Sequence, residues 1–487
     1  MEQPVERHKT AIGRADLSRP IKLALTDGLA LPDTEIFDYG CGRGQDIARL
    51  SSMGFKINGW DPFFRPDAPR NPASIVNLGY VVNVIEDPRE RDDALRDAYS
   101  LAKSVLVVSA RLTAEARDGA ETADHSDGHL TSRGTFQKLF EQTELKNWID
   151  QTLDVSALPA GPGVFYVFRN DEERVAFQAS RYRRRAVAPR LSRSETLFNE
   201  HEALLQPLID FWMKRGRMPA EDELGSEIRT IREVFGSPKR AFQVIKRVTD
   251  AEQWDEIAAE RTQDLQLYLA LSQFDGRPRY SELPEELKQD VKAFFSNYTK
   301  ACQLADELLF SLGDPEVIDA ACRSSEVGKL TPSAIYVHES AIEALPPILR
   351  LYEGCARGYI GRVDGANVIK LHRGEPKVSY LTYPEFETDP HPSLAHALTV
   401  NLQTFRVKSR RYSGQRNPPI LHRKEAFVAP DHPLHAKFAR LTRIEESKGL
   451  YEDSSRIGTR DGWNAALTAR GLRLAGHRLV KSNASRE

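Results

Sequence analysis

Hydrophobic positions along the first third of the chain switch repeatedly between the two-residue period of a strand and the 3.6-residue period of a helix. Strands that alternate with helices at this spacing are typical of a mostly parallel sheet covered on both faces. We therefore predict a doubly wound α/β domain over residues 1–172. Its predicted strands are residues 35–39, 56–60, 104–109 and 163–169, with another inside 73–85, and its predicted helices are residues 21–30, 45–53, 90–102 and 136–141.

The pattern changes after this domain. Residues 181–193 contain six arginines and no acid, so we predict an exposed basic linker over residues 173–194. Leu, Glu, Lys and Ala then recur at helical spacing and predict a helical domain over residues 195–330. Tyrosine, proline and valine become more frequent after it and predict a mixed α+β region over residues 331–487, with two or three helices in its tail, residues 434–479.

The first predicted strand runs directly into glycines at alternate positions. Asp38 is followed by Gly40, Gly42 and Gly44, and a predicted helix begins at the next residue. Glycine permits a positive φ and lacks the Cβ that would hold a ligand away from the backbone. The second strand ends at Asp61, where a carboxylate is placed to accept hydrogen bonds from both hydroxyls of a ribose. These five residues are predicted to bind a cofactor.

The spacing of the glycines distinguishes between cofactors. Dinucleotide sites use Gly-x-Gly-x-x-Gly, whereas this chain has Gly-x-Gly-x-Gly behind an acid, Asp38, which would repel a pyrophosphate. The stretch resembles the first motif of class I S-adenosylmethionine-dependent methyltransferases. The resemblance implies that S-adenosylmethionine is the cofactor, that the glycines face its methionine end and that Asp61 holds its ribose. Tight strand–helix packing alone would also explain the glycines, but the two acids favour the cofactor site.

The strand in residues 73–85 allows two interpretations. In one, Asn-Leu-Gly-Tyr, from Asn77 to Tyr80, resembles the Asn-Pro-Pro-Tyr motif of nucleic-acid amino-methyltransferases, although both prolines are missing. Asn77 would then accept a hydrogen bond from the target amine and Tyr80 would stack on the base, which makes them the predicted catalytic residues. In the other, residues 81–87 continue over the site as a helix start, and Asn83 and Glu86 only shape the pocket.

Two histidines and two acids share a polar segment, residues 123–130. His125 and His129 lie beside Asp124 and Asp127, and these residue types can bind a metal ion. The composition favours a solvated loop, which would cover the cofactor as a lid. We predict no metal site here, and the four cysteines of the chain are scattered without a Cys-x-x-Cys pair.

The net charge of the chain is −2, with 68 Lys and Arg against 70 Asp and Glu, so contact with nucleic acid requires local basic patches. Residues 405–425 carry seven basic residues and one acid, interleaved with Tyr412, a pattern that suits a phosphate backbone and an unstacked base. A solvated basic loop is the alternative. The predicted nucleic-acid-binding residues are Arg183, Arg184, Arg185, Arg410, Arg411, Tyr412, Arg423 and Lys424.

Apolar runs in the chain are shorter than the roughly 18–20 residues that span a bilayer, and the first residues lack the basic and apolar regions of a signal peptide. We therefore expect no membrane association and a cytoplasmic location.

The chain as a whole resembles the family of DNA phosphorothioation-associated methyltransferases. The similarity lies in residues 7–12, 17–20, 38–44, 59–62, 77–91, 377–381, 417–425 and 457–460. This resemblance implies a bacterial setting and an association with a DNA-modification system, but it does not supply the methyl acceptor.

We hypothesise an S-adenosylmethionine-dependent methyltransferase that acts on nucleic acid, with DNA favoured over RNA. A different class of function stays open: a nucleic-acid-binding accessory protein that senses the cofactor without turnover. Methylation of a small molecule or a protein is less favoured, because neither would explain the further 300 or so residues.

Overall fold

The computed structural model describes residues 6–11, 16–115, 122–131, 134–184, 198, 200–453 and 456–482. The chain divides into two compact units. The first unit comprises Met1–Asn170, Cys322–Ala344 and Tyr352–Glu487, and the second, the helical unit, comprises Asp171–Ala321 and Leu345–Leu351. Over the described ranges, no helix is both long and apolar enough to cross a membrane.

The N-terminal part of the first unit is an α/β structure. Its strands are β1 Glu35–Tyr39, β2 Lys56–Trp60, β3 Ala73–Gly79, β4 Ala102–Ser109, β5 Thr122–His125, β6 Gly128–Thr131, β7 Phe136–Gln137, β8 Leu158–Gly161 and β9 Val164–Phe168. Its helices are α1 Arg19–Thr26, α2 Gln45–Ser52, α3 Pro88–Leu101 and α4 Gln142–Leu153. The main sheet has the order β2-β1-β3-β4-β9-β8, in which β1 to β4 are parallel and β9 is antiparallel to its neighbours. The predicted fold class, a mostly parallel α/β sheet, is confirmed.

The central strands are buried because helices cover both faces of the sheet. Val76 in β3 and Leu106, Val107 and Val108 in β4 are all fully buried, which explains why these strands are continuous apolar runs instead of alternating ones. The parallel register sets Asp38 opposite Asn77 and Tyr39 opposite Trp60. The ends of β1, β2 and β3 therefore meet at one edge, where such sheets bind ligands.

Two segments of this domain differ from the sequence prediction. Residues 136–141, predicted as helical, contain the short strand β7, and the helix begins only at Gln142, after Glu141 has capped it. Phe136 and Phe140 are both buried, so their four-residue spacing imitates a helical face in an extended segment. The predicted polar loop is a hairpin, in which β5 pairs with β6, and β6 pairs in turn with β7.

The second unit is built from helices, as the sequence predicts. They are α5 Asp171–Arg181, α6 Glu202–Arg215, α7 Glu227–Phe235, α8 Pro238–Val248, α9 Ala251–Leu271, α10 Glu285–Phe295, α11 Tyr298–Ser311 and α12 Pro315–Ser324, the last of which continues into the first unit. The beginning of the predicted basic linker, residues 173–181, lies within α5 and is helical.

The C-terminal part of the first unit is α+β, as predicted. Its helices are α13 Pro347–Ile360, which begins in the helical unit, α14 His435–Ser447 and α15 Arg460–Ala469. Its strands are β10 Lys329–Leu330, β11 Ala334–His338, β12 Val368–His372, β13 Lys377–Thr382, β14 His396–Asn401, β15 Val407–Arg411, β16 Leu472–Ala475 and β17 Arg478–Lys481. Strands β10 to β15 form one antiparallel sheet in chain order. The predicted helical tail also contains the hairpin β16–β17, which turns at Gly476 with a positive φ of 55°.

The C-terminal region is predicted as a separate domain, and within the first unit the segment that follows its helix α13 contacts strand β8 of the N-terminal sheet. The backbone N–H of Arg362 donates to the carbonyl of Ala160 at 2.7 Å. Gly361, at φ +72°, lies so close to the backbone of Ala160 and Gly161 that a Cβ would overlap both residues. Sequence composition does not reveal such a contact, because it joins residues about 200 positions apart.

This contact predicts that Gly361→Ala destabilises the protein. Gly365→Ala is a matched control, because Gly365 also has a positive φ (+69°) but a Cβ there would be 3.6 Å from Thr382, an ordinary contact. The control should lose about 1 kcal/mol to backbone strain, and Gly361→Ala should lose at least about 3 kcal/mol. Urea unfolding of both variants measures the difference, and equal losses would contradict the close approach.

Candidate active site

A cleft of about 1040 Å³ opens at the edge where β1, β2 and β3 end. Typical small-molecule sites occupy about 300–1,000 Å³, so the cleft has room for a cofactor and part of an acceptor. Its lining includes nearly all of the residues predicted to bind cofactor or to be catalytic: Asp38, Gly40, Gly42, Asp61, Asn77 and Tyr80. Gly44 lies outside the lining, at the N-cap position of α2.

The glycine turn has the backbone that its sequence predicts. Gly40, Gly42 and Gly44 all have positive φ, at +78°, +53° and +72°. A Cβ on Gly40 would overlap the side chain of Val81, so this position needs glycine for packing as well as for conformation. Among the described residues, a Cβ on Gly42 would have only the Cβ of Ala11 within 4 Å, at 3.4 Å. A ligand can therefore approach the turn closely at Gly42.

Asp38 and Asn77 form a buried polar pair on the cleft wall. They are 4% and 2% exposed, and Asn77 Nδ2 donates to Asp38 Oδ1 at 2.8 Å. Asn77 Oδ1 has no hydrogen-bond partner among the residues that the structure describes. Burial, reinforced by the nearby Asp38 carboxylate, raises the pKa of the Cys41 thiol to about 12, so this thiol stays neutral and is not an activated nucleophile.

Asp61 connects the glycine turn to the loop that follows β2. Its Oδ2 accepts from the N–H of Gly42, and its Oδ1 accepts from the N–H groups of Phe63 and Phe64, each at 2.9 Å. A carboxylate offers about four acceptor positions, so three are used and one is left. The prediction that Asp61 accepts from both ribose hydroxyls therefore needs correction: in this arrangement it has room for one.

The end of β3 brings two further polar residues to the cleft. Tyr80 has a φ of +61°, and its N–H donates to the carbonyl of Ser109 at 2.9 Å. A non-glycine residue in this region costs of order 1 kcal/mol or more and is typically found at functional sites. Asn83 is 2% exposed, and its Oδ1 has no partner. Residues 81–87 contain a turn and are not helical, because α3 begins at Pro88.

Sequence analysis missed the short 3-10 helix that begins at Arg7 and borders the cleft. Arg7 donates to Glu86 Oε2 at 2.7 Å and to Glu90 Oε2 at 2.6 Å. The ring of His8 stacks on Phe63, with centroids 4.1 Å apart and planes 9° from parallel. The family resemblance, which starts at Arg7, was the available signal that this segment belongs to the site.

The hairpin β5–β6 is anchored by an ion pair. Arg91, almost fully buried, donates to both oxygens of Asp127 at 2.8 and 2.9 Å, and Lys138 lies 3.1 Å from the same carboxylate. The hydrogen bonds from Arg91, followed by those from Lys138, lower the pKa of Asp127 to about 2. Asp127 therefore has a structural role, as the acidic partner of Arg91 and Lys138. No group of three or more His, Cys, Asp or Glu side chains in the described ranges is arranged to hold a metal ion.

The arginines that follow α5 are not a free basic surface in the described residues. The Arg184 side chain is only 11% exposed, because it pairs with Asp264 at 3.3 Å and donates to Gln263 at 3.1 Å. Arg183 lines a small cavity in the helical unit. Arg185, also predicted to bind nucleic acid, lies outside the described residues.

Lys424 belongs to the interior of the C-terminal part, which corrects its assignment to a nucleic-acid surface. It is 3% exposed, and its Nζ donates to the carbonyls of Phe386 and Asp389 at 2.7 and 2.6 Å. The neighbouring Arg423 is partly exposed, and it pairs with Glu446 at 3.1 Å.

Arg410 and Arg411 lie on β15, an exposed edge strand of the C-terminal sheet. Arg410 covers the ring of Tyr412, with its guanidinium carbon 4.8 Å from the centroid. Within the described part of the chain neither arginine has an acidic partner. Strand β15 contacts the turn Thr113–Glu115, and Glu115 lines the cleft. This basic strand is therefore next to the candidate active site.

The Asp127 ion pair predicts a pH-dependent contribution to stability. Because the pKa of Asp127 is lowered in the folded protein, its contribution is complete above the unfolded pKa of about 3.9 and is lost as the pH falls towards 2. Asp127→Asn should therefore cost about 1 kcal/mol at pH 6, after allowance for partial exposure, and less at pH 3. The free energy of unfolding at both pH values measures this.

Asp93→Asn is the control for this measurement, because the Asp93 side chain is 75% exposed. It should change stability little at either pH. A cost of Asp127→Asn that is equal at pH 6 and pH 3 would contradict the role of its charge.

No family model matches the chain, and no curated protein matches its sequence. Several solved structures are similar to about a third of the chain. One is the 1,6-didemethyltoxoflavin-N1-methyltransferase of Burkholderia thailandensis, which is 12% identical in sequence with a TM-score of 0.23. The similarity covers 34% of this chain and 78% of the other. A SAM-dependent methyltransferase from Aquifex aeolicus has 15% identity, a TM-score of 0.24, and coverage of 34% and 95%. An amino pentose methyltransferase from Micromonospora echinaspora, solved with SAM bound, has 15% identity, a TM-score of 0.25, and coverage of 34% and 96%. Likenesses this weak carry no argument about activity.

Proposed function

We propose that the first unit is a class I S-adenosylmethionine-dependent methyltransferase. The observation that carries this proposal is the convergence of the glycine turn, Asp38 and Asp61 on one cleft at the ends of parallel strands. Two carboxylates beside an open glycine backbone suit a ligand that has a cationic end and a ribose. They do not suit a pyrophosphate, which the acids would repel.

The residues of the cleft fit S-adenosylmethionine. The Asp38 carboxylate is an acceptor for the ammonium group of its methionine end. Asp61 has one acceptor position left for a ribose hydroxyl, and Gly42 gives the cofactor close access to the backbone. An unsatisfied buried oxygen is costly, so a donor from a ligand at Asn77 would stabilise the site.

S-adenosylmethionine supplies an activated methyl group, and the chain has to bind and orient the acceptor. Positioning alone contributes effective molarities of about 10⁵–10⁸ M in favourable cases, so a dedicated base is not required. Asn77 and Tyr80 remain our proposed catalytic residues. Asp38 holds Asn77 through its Nδ2, which leaves Asn77 Oδ1 to accept from an amine of the substrate, and Asn83 Oδ1 is a second acceptor for that amine.

We favour nucleic acid as the methyl acceptor because of the charges around the cleft. Acidic side chains of α3, including Glu90, Asp93 and Asp97, line the cleft and would repel phosphates. The strand β15, with Arg410 and Arg411, contacts the 3-10 helix Thr113–Glu115, whose Glu115 also lines the cleft. A phosphate backbone would therefore run along β15 and present a base to the cleft.

The finer assignments rest on the sequence resemblance alone. They are the preference for DNA over RNA, the association with a DNA phosphorothioation system and the bacterial setting. The alternative function, a cofactor-sensing accessory protein without turnover, would use the same cofactor site and the same basic strand. Only a measurement of methyl transfer separates the two.

The first experiment measures binding and transfer with S-adenosylmethionine labelled in its methyl group. We expect the wild type to bind the cofactor and to label host DNA when DNA, RNA and protein fractions are offered separately. Asp38→Asn and Asp61→Ala should each weaken cofactor binding about tenfold or more, because each removes a charged acceptor. Asp33→Ala is the matched control, since Asp33 is exposed and outside the cleft lining.

Each outcome has a defined meaning. Label in DNA or RNA that is lost in the two site variants supports the enzyme and identifies its substrate class. Cofactor binding without transfer to any fraction supports the accessory protein. If the wild type does not bind S-adenosylmethionine, both proposals fail.

A second experiment tests β15 as the nucleic-acid contact. The double variant Arg410→Glu/Arg411→Glu should weaken binding to an oligonucleotide and lower its salt dependence by about two units of slope, since each lost phosphate contact contributes about 0.9. Its affinity for S-adenosylmethionine should not change. Arg473→Glu/Arg478→Glu, on the exposed hairpin β16–β17, makes the same change in charge elsewhere in the first unit. Equal losses in the two double variants would exclude a specific role for β15.

A further inference from the structure

The hairpin β14–β15 and the segment after it form a basic surface without acids. Residues 396–416 contain five Lys or Arg and no Asp or Glu. Arg406, Lys408, Arg410 and Arg411 are exposed, and none of them has an acidic partner among the residues that the structure describes. Side chains alternate along a strand, so Lys408 and Arg410 project from the same face of β15, about 7 Å apart. Such a row of cations suits successive phosphates of a nucleic-acid strand.

An exposed aromatic ring, Phe405, lies at the tip of this hairpin. Its side chain is 50% exposed, and its backbone has a φ of +53°. A single exposed phenylalanine needs no explanation, because apolar atoms make up much of any protein surface. A left-handed backbone is different, since a bulky residue rarely adopts it and such strain is concentrated at functional sites.

Neighbouring residues fix the conformation of the tip. The hydroxyl of Tyr359 donates to the carbonyl of Phe405 at 2.8 Å, and the two rings meet edge to face with centroids 5.3 Å apart. Asn401 Oδ1 accepts from the N–H groups of Gln403 and Thr404, each at 2.9 Å. The ring of Phe405 is therefore held in place while half of it stays in solvent.

Hydrogen bonds connect this tip to the border of the cleft. The hydroxyl of Tyr359 lies 3.0 Å from Thr143 Oγ1, at the start of α4. Glu141, which caps α4, accepts from Thr113, the first residue of the 3-10 helix that β15 contacts. This 3-10 helix ends at Glu115, which lines the cleft. The exposed ring and the basic strand are thus both connected to the candidate active site.

Tyr412, the aromatic residue that the sequence predicts as a base contact, is less available. It is only partly exposed and packs against the hydrophobic core of the C-terminal part. The guanidinium carbon of Arg410 lies 4.8 Å from the centroid of its ring and covers one face. Phe405 is therefore the better candidate for a base contact on this surface.

We propose that Phe405 is a stacking platform for an unpaired base of a DNA strand whose phosphates contact Arg406, Lys408 and Arg410. A base can stack on an aromatic side chain only when its face is free, and in a duplex neighbouring base pairs cover both faces. The inference rests on the proposed function, in which nucleic acid is the methyl acceptor, and adds that the bound strand is single here. An unpaired base is also the form in which enzymes reach base atoms.

The test is fluorescence titration of the full chain with a DNA oligonucleotide that contains a fluorescent adenine analogue, as a single strand and as a duplex. The wild type should bind the single strand more tightly, and stacking should change the emission of the analogue. Phe405→Ala should weaken single-strand binding about tenfold. Its salt dependence should not change, because the phosphate contacts remain. Phe405→Trp should keep the affinity, and Phe310→Ala is the matched control, since Phe310 is 79% exposed in the helical unit.

Phe405→Gly distinguishes a platform from a structural contact. Glycine adopts the left-handed backbone without strain, so this variant removes the ring and relieves the strain together. It should weaken single-strand binding as much as Phe405→Ala does, and its unfolding temperature should not fall below that of the wild type. A marked fall would make Phe405 a structural partner of Tyr359 and would overturn the proposal.

The remaining outcomes separate this inference from the proposed function. Single-strand binding that is lost in Arg410→Glu/Arg411→Glu but kept in Phe405→Ala overturns the platform alone, and so does a duplex bound as tightly as the single strand. If the wild type binds S-adenosylmethionine but no oligonucleotide, the platform and the nucleic-acid acceptor fail together. RNA of the same sequence bound more tightly than DNA would overturn the assignment of the strand to DNA.

Discussion

The carboxylate of Asp61 is the constraint on which the shape of the cleft depends. It accepts backbone hydrogen bonds from Gly42 on one side and from Phe63 and Phe64 on the other, so a single side chain fixes two loops at once. The loops are close enough because β1 and β2 are parallel neighbours that end in register, Tyr39 opposite Trp60. The surface of the cleft is therefore organised in advance, and the residue proposed to bind the ribose also holds the architecture that surrounds it.

Unsatisfied polar atoms concentrate at this cleft. Among the described residues, Asn77 Oδ1, Asn83 Oδ1 and Ser18 Oγ are buried without hydrogen-bond partners, and all three residues line the cleft. Each such group costs about 1–3 kcal/mol, so they are uncommon in folded proteins and call for a specific reason. The strained backbone of Tyr80 adds to this cost at the same place. Their common location indicates that the fold bears the cost where a ligand supplies the missing partners.

The features that could be predicted are those that depend on short stretches of sequence. The glycine turn, Asp61 at the end of β2 and the parallel sheet follow from periodicity and from the conformational freedom of glycine, and the structure contains them. The wrong helix at residues 136–141 shows the limit, because two buried phenylalanines four residues apart also fit an extended segment packed in the core. The contact between Gly361 and strand β8 was not predictable, since a close contact between distant backbones leaves no periodic signal.

The same limit applies to basic residues, because a partner far along the chain decides whether an arginine is free to bind a phosphate. Arg184 and Arg410 both occur in arginine-rich stretches. Arg184 forms an ion pair with Asp264, which is 80 residues away in the sequence. Arg410 lies over the ring of Tyr412 and has no acidic partner among the described residues. A paired arginine has already exchanged water for a carboxylate, and it has little free energy to gain from a phosphate. An exposed arginine keeps its charge available and gains from the release of counterions. In the described part of the chain, the arginines predicted to bind nucleic acid that are exposed and have no acidic partner are Arg410 and Arg411 on β15.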